Sequence, residues 1–295
     1  YAFVGGLLML IAVLLFGDMG KGAQRWLDLG FIRFQPSELM KLAVPMMVAW
    51  YISKFTLPPR TTHIVVGFAL VVVPTILIAK QPDLGTSLLI ASSGIFAIFL
   101  AGMSWRLISL VGALIGAFAP VMWFFLMKDY QKQRVLTFLN PESDPLGSGY
   151  HIIQSKIAFG SGGLSGRGFL QGTQGHLNFL PEMQTDFIFT MFAEEFGLIG
   201  GLALLGIYVL LLVYGIGISL RSRSHFGCLL GMGVTVTFFL YVFINMAMVM
   251  GLIPVVGGPL PLISYGGTAM LTLLFGFGLL MGVWVHRDVI IGRPG

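Results

Sequence analysis

A chain of 295 residues that is 56% hydrophobic, only 10% charged and +0.91 in mean hydropathy is not a soluble globular domain, where about a quarter of residues are charged. Its formal charge of +5 is thinly spread, 17 bases against 12 acids, and no nucleic-acid partner is expected. The apolar runs are continuous rather than alternating, which excludes a membrane barrel and leaves an all-α, polytopic helical membrane protein, since lipid-embedded runs satisfy their backbone as helices.

Eight apolar runs of about 20 residues read as spans in chain order: about 2–17, 37–54, 63–80, 86–103, 106–127, 187–219, 226–252 and 266–286. The first starts directly after Tyr1, without the basic region or cleavage site of a signal peptide, and reads as a chain lacking upstream spans. The sixth is too long for one simple crossing, and "AEEFG" at 193–197 is expected to divide it. Residues 1–295 form a single integral membrane domain in this reading, with 128–186 as its large extracytoplasmic loop. The loop's "HIIQSKIAF" carries an apolar stripe of Ile152, Ile153, Ile157 and Phe159, so a folded interfacial segment with short helices is expected there.

Orientation follows the basic residues of the short loops. Lys54, Arg60, Arg106, Arg221, Arg223, Arg287 and Arg293 gather on one side with a single acid, Asp288, which makes that side cytoplasmic. The opposite side is charge-rich but nearly balanced, a pattern compatible with a chemical site. The lone Cys228 lies in an apolar run and reads as a packing residue; no intrachain disulfide framework is available.

Several charged residues carry two readings each. In "QPSELMK", Pro36 suits a first helical turn, with Glu38 near its positive end. Lys41 lies a turn deeper on nearly the same face, where an ion pair satisfies both groups and where ionisable residues are functional candidates. In "AKQPDLGTS", Lys80 and Asp83 fall in an outer turn, and a helix cap explains Asp83 adequately. "GSGGLSGRG", with Arg167, invites an anion-cradle reading, but it is no P-loop, and a flexible turn explains it as well. Glu194 and Glu195 are either buried partners of loop bases or a wet helix end. "PVVGGPLPLISYGGTA" at 254–269 is a broken re-entry between the last two spans, and such backbone is buried in protein or lines a cavity. Ser264 and Tyr265 are its candidate donors.

The most pointed stretch is "FLPEMQTDFIF" at 179–189, where Glu182 and Asp186 stand four residues apart against an apolar run. A carboxylate at a lipid–water boundary suits a general base acting on a hydroxyl, with nearby bases stabilising an anionic leaving group. A helix N-cap explains Asp186 equally well.

Taken together, "RWLDLGFIRFQPSELMKLAVP", "QPDLGTS", "DPLGSGYHIIQSKIAFGSGGLSGRG", "GTQ", "FLPEMQTDFIF" and "PLPLISYGG" resemble the SEDS family, the shape, elongation, division and sporulation group of peptidoglycan polymerases. The resemblance runs along essentially the whole chain and is nearer the elongation branch than the division branch. It implies about ten spans in a full chain. It also implies a glycosyltransferase acting on lipid II at the outer face of the cytoplasmic membrane, with the active site facing the periplasm. Asp186 matches the family's catalytic carboxylate, Glu38 and Lys41 its functional pair, Asp83 a position important for activity, and Arg25 and Trp26 an outer-loop motif. Arg25, Lys80, Lys156, Arg167 or a divalent cation (Mg or Mn) would stabilise the departing pyrophosphate, with Glu182 in support. No cofactor is otherwise expected. The implied partners are lipid II, a class B penicillin-binding protein transpeptidase and other elongation-complex membrane proteins. One departure stands out: relatives commonly carry a His before the Thr of "TDFIF", and Gln184 stands there in this chain, after Met183. The competing readings are a lipid II flippase or transporter and a non-catalytic scaffold for a transpeptidase.

Overall fold

The structure, a computed structural model, describes residues 1–20, 23–28, 33–127, 129–143, 148–172 and 184–289. Among them are ten α-helices: α1 (Ala2–Phe16), α2 (Pro36–Ser53), α3 (Thr61–Lys80), α4 (Leu84–Leu100), α5 (Trp105–Val121), α6 (Asp129–Leu139), α7 (Ser148–Gly162), α8 (Ile188–Leu220), α9 (His225–Val249) and α10 (Gly267–Val285). The eight predicted runs correspond to α1–α5 and α8–α10, and the loop helices α6 and α7 lie where the folded loop is expected.

Among the described residues, five helices are long and apolar enough to cross a membrane: α3, α5 continued to Phe125, α8, α9 and α10. Helices α1 and α4 are as apolar but shorter, at 15 and 17 residues. Helix α2, 18 residues long, carries Glu38 and Lys41 near its start. The protein is therefore a multi-pass helical membrane protein. Pro45, Pro74 and Pro120 lie inside helices, as neighbouring helices permit within a membrane.

A three-stranded antiparallel sheet joins α1 to α2: β1 (Asp18–Gly20), β2 (Ala23–Asp28) and β3 (Arg33–Phe34), in the order β1-β2-β3. Trp26 pairs with Asp18, and Leu27 with Phe34. The sheet was not expected from the sequence. Its strands are too short for an alternating pattern to register against the apolar runs on either side.

The chain divides into two compact units. One comprises Tyr1–Met103, Val209–Tyr241 and Gly266–Gly295; the other comprises Ser104–Tyr208 and Val242–Tyr265. In the first, small residues let helices approach closely, the usual means of packing in lipid. Gly94 of α4 faces Val71 of α3 and Val44 of α2, Gly233 of α9 faces Pro45 of α2, and Gly276 of α10 faces Val234 and Leu42. A side chain at Gly94 would come within 2.4 Å of Val71, so the glycine sets that spacing.

In the second unit, the buried Ser155 of α7 donates to Val249 O (2.6 Å) and shares a hydrogen bond with Thr190 of α8 (2.8 Å). Tyr208 donates to Pro261 O (2.7 Å), fixing the broken segment 250–266 to α8.

Helix α8 breaks at Gly197, whose φ of 64° and ψ of −161° are not helical, within the segment expected to divide the run. The break is filled by the glycine run that follows α7. Arg167 N donates to Glu194 O and Gly168 N to Glu195 O (3.0 Å each), while Leu198 N and Ile199 N donate to Gly163 O (3.0 Å) and Leu164 O (3.1 Å). A Cβ at Gly162, Gly166 or Gly197 would lie 2.2, 2.0 or 2.3 Å from backbone atoms across this clasp. The glycines of "GSGGLSGRG" thus serve close backbone pairing at a helix break, where helical hydrogen bonds are lost and must be replaced.

Candidate active site

In the first unit, the charges of α2 form a closed cluster. Lys41 Nζ donates to Glu38 Oε1 (2.6 Å) and to the Tyr241 hydroxyl (2.5 Å), and Tyr241 donates to Glu38 Oε2 (3.1 Å). Glu38 and Lys41 are only 5% and 3% exposed. The i, i+3 spacing on α2 brings carboxylate and ammonium together, and Tyr241 of α9 completes the triangle. Lys41 Nζ also lies 4.6 Å from the Tyr241 ring centroid. A low-polarity interior makes an unpartnered charge costly, and this arrangement satisfies each group with the others. Sequence reasoning missed Tyr241; the only signal was a hydroxyl within the apolar run "TFFLYVF".

At the start of α4, Asp83 accepts from Thr86 N (3.2 Å), so the capping reading of this residue holds. Asp83 is also buried, lies 3.7 Å from Arg25 Nε, and accepts a long hydrogen bond from Gln35 Nε2 (3.4 Å). Arg25 donates to Pro82 O (2.6 Å). Strand β2 thereby sets Arg25 beside the α3–α4 turn, and the next residue, Trp26, is half-buried. Lys80, the last residue of α3, is exposed.

In the second unit, Asp186 lies in the turn 184–187 immediately before α8. Phe187 O accepts from Thr190 N (3.0 Å) and Met191 N (3.4 Å). Phe187 therefore occupies the cap position, with Asp186 one residue outside it. The turn is fixed through its carbonyls. Asn245 Nδ2 donates to Asp186 O (2.9 Å) and Gly258 O (2.7 Å), Ser264 donates to Thr185 O (2.6 Å), and Tyr265 N donates to Gln184 O (2.8 Å). The broken segment approaches the carboxylate itself: a Cβ at Gly257, where φ is +75°, would sit 3.1 Å from Asp186 Oδ2. Only glycine accommodates both that φ and that approach. Asp186 is half-buried as a residue, while Asn245, which holds its carbonyl, is 1% exposed, with its Oδ1 buried and unpartnered among the described residues.

Ser264 and Tyr265 therefore act as predicted donors, but toward the turn's backbone, Tyr265 through its N–H. Asn245 is a second residue the sequence reading missed, one polar side chain in "FINMAMVM". His151 of α7 packs its ring 6.1 Å from Phe187, and burial lowers its pKa below the ordinary 6.5. Lys156 is exposed and lines a pocket of about 590 Å³ with Asn140 and Glu142. Arg167 is exposed, with its Nε 3.4 Å from Ser161 O. Glu194 is fully buried, which excludes a wet helix end for it, and it accepts from Ser161 Oγ (3.3 Å), a hydroxyl rather than a base. Glu182 lies outside the described residues, as does Met183. No group of three His, Cys, Asp or Glu among the described residues is arranged to hold a metal ion.

The chain agrees with known proteins along its length. The profile of the FtsW/RodA/SpoVE family, described as "Cell cycle protein", matches residues 1–289. The chain belongs to this family. It is 54% identical over 290 residues to the peptidoglycan glycosyltransferase MrdB of Escherichia coli K12, covering 98% of this chain and 78% of that protein. It is 31% identical to the peptidoglycan glycosyltransferase RodA of Treponema pallidum, covering 95% and 81%. Among solved structures, a peptidoglycan synthase complex that coordinates polymerization and crosslinking superposes with a TM-score of 0.83 at 31% identity, over 97% of this chain and 80% of that one. RodA of Thermus thermophilus superposes with a TM-score of 0.70 at 27% identity, over 98% and 78%.

Proposed function

We propose that this protein is a peptidoglycan glycosyltransferase that polymerises lipid II into glycan strands, with Asp186 as general base. The activity is supported by relatives of that name matching nearly the whole chain. The single observation that carries the chemistry is the Asp186 turn. Its carbonyls are held by Asn245, Ser264 and Tyr265, and the carboxylate of the half-buried Asp186 lies beside Gly257, which has no side chain.

In the reaction, the acceptor's sugar 4-hydroxyl gives its proton to the Asp186 carboxylate as its oxygen bonds to the donor's anomeric carbon. The bond from that carbon to the lipid pyrophosphate breaks, and the pyrophosphate leaves with the electron pair. Attack opposite the leaving group inverts the anomeric centre. A base contributes about 10²- to 10⁴-fold when it lies within hydrogen-bond reach of the proton. Arg25, Lys80, Lys156 and Arg167 are the candidate cations for pyrophosphate. A divalent cation would polarise phosphoryl oxygens, but the described residues supply no cluster of ligands for it. Glu38 and Lys41 are assigned a supporting role through the buried triangle with Tyr241.

The excess of basic residues in the loops opposite the Asp186 side supports a cytoplasmic-membrane location with the site facing the periplasm. A class B penicillin-binding protein is the proposed partner, alongside other elongation-complex membrane proteins. Similarity to a complex that coordinates polymerization and crosslinking supports the transpeptidase.

The test uses the full-length protein with its class B partner in nanodiscs containing labelled lipid II. Asp186→Asn is expected to lower glycan-chain formation by about 10²- to 10⁴-fold with unchanged thermal unfolding and partner binding. Undiminished polymer would remove Asp186 from catalysis and leave the scaffold reading of the turn. Absence of polymer from the wild-type complex, with lipid II crossing the bilayer, would favour a transporter.

A further inference from the structure

At the arginine-rich end of α9 and α10, within the first unit, the loop after α8 and the residues after α10 are tied together, with Arg223 N donating to Arg287 O (2.8 Å). Beside this junction a groove of about 350 Å³ opens between the start of α9 and the last turns of α10. Phe226 and Leu230 wall one side, and Leu279 and Val283 the other. Its floor is open because α10 carries Gly278 and Gly282, one turn apart. A Cβ built at either meets nothing within 4 Å, unlike the packed Gly276 on the same helix.

The rim differs from the interior. Arg221, Arg223 and Arg287 adjoin the lining residues Ser222, Ser224 and His286 along the chain, with a single carboxylate, Asp288, 3.6 Å from Arg223 and 3.7 Å from Arg287. Arg221 and Arg287 lie 5.6 and 4.1 Å from the Trp284 ring, an aromatic of the type that marks a membrane interface. Ser222 and Ser224 add hydroxyls to the groove lining. The volume suits a small ligand rather than a helix about 10–12 Å across.

We infer that this groove binds one anionic phospholipid of the adjoining leaflet, its phosphate on the Arg221–Arg223–Arg287 rim and an acyl chain against Gly278 and Gly282. The argument is charge complementarity. Three guanidiniums outnumber one carboxylate at the mouth of an apolar slot, and basic pockets between spans select anionic headgroups. A zwitterionic lipid fills the slot equally well but gains less from the rim.

Native mass spectrometry of the full-length protein in detergent, titrated with phosphatidylglycerol or phosphatidylcholine, tests the assignment. The wild type is expected to retain one phosphatidylglycerol in preference to phosphatidylcholine. Replacing Arg221, Arg223 and Arg287 together by Gln is expected to reduce that preference by roughly ten- to a hundred-fold. Gly282→Leu, which projects into open space, is expected to remove retention of both lipids while circular dichroism and thermal unfolding stay unchanged. Should Gly282→Leu impair folding, the arginine variant with a melting control decides alone. Equal retention of the two lipids by the wild type, or an undiminished preference in the arginine variant, would overturn the inference. So would retention of short-chain phosphatidylglycerol or inorganic phosphate as tight as that of the long-chain lipid, since the groove would then contribute nothing. Loss of a co-purifying protein, rather than of lipid, from Gly282→Leu would instead assign the groove to a partner's helix and overturn the lipid.

Discussion

Glu38 and Asp186 each stand at the start of a helix, yet their surroundings are opposite. Glu38 is buried and closed off by side chains, Lys41 on one oxygen and Tyr241 on the other. Asp186 is half-buried, and its turn is fixed through its own carbonyl and those of its neighbours, by Asn245, Ser264 and Tyr265. An ion pair enclosed in this way is held by the mutual satisfaction of its members. A carboxylate whose turn is fixed through backbone carbonyls keeps its place in the fold by bonds made to the main chain. The proposed general base belongs to the second kind, and the supporting pair to the first.

The largest effect that would break this comparison is the activity loss expected for Asp186→Asn; an equal loss of fold stability in that variant would make Asp186 structural after all. Next comes Lys41→Met, which strands Glu38 in the interior and is expected to destabilise by about 3–5 kcal/mol, the range for breaking a buried pair. Adding Glu38→Gln is expected to recover part of that loss in thermal unfolding, because the stranded charge is gone. No recovery would mean that the pair contributes chiefly through packing. Asn245→Ala removes the donor to Asp186 O and Gly258 O and is expected to weaken the turn by about 1–3 kcal/mol. Hydrogen exchange should rise at residues 184–190 while the α2–α9 triangle stays protected. A uniform rise would show that the two sites share one cooperative unit.

The smallest effect is pH-dependent. His151 packs against Phe187, and burial holds its pKa below 6.5. As pH falls through the unfolded value of about 6.5, the unfolded chain takes up the proton before the folded one does. The contribution of neutral His151 is thus complete above that pH and declines below it. Melting temperature is expected to fall more steeply below pH 6.5 in the wild type than in His151→Phe; parallel curves would exclude His151 as the group responsible.

Much of the bundle was legible because lipid imposes a simple rule. Apolar runs of membrane length must be helices, and the runs at 63–80 and 226–252 correspond to α3 and α9 within a few residues. The division of the sixth run was legible too, since Glu194, Glu195 and Gly197 interrupt its hydrophobicity, and the break falls at Gly197. The β1–β3 meander was not, because strands of three, six and two residues carry no periodicity strong enough to recognise. The glycines of 160–168 announced close approach but not its object. An anion and a neighbouring backbone both require a missing side chain, and only the fold brings Glu194, Glu195 and Gly197 alongside.

The sequence by itself determined the membrane class, the span positions, the family resemblance and the candidacy of Asp186, Glu38 and Lys41. These depend on local hydrophobicity, on the i, i+3 spacing of one helix and on ordered motifs. Tertiary structure alone decided that Tyr241 closes the Glu38–Lys41 pair from 203 residues away and that Asn245, Ser264 and Gly257 frame the Asp186 turn. Hydrogen bonds act over about 3 Å and glycine contacts over less than a side chain's width. Which distant residues come that close is fixed by how helices pack, and no single stretch of chain records it.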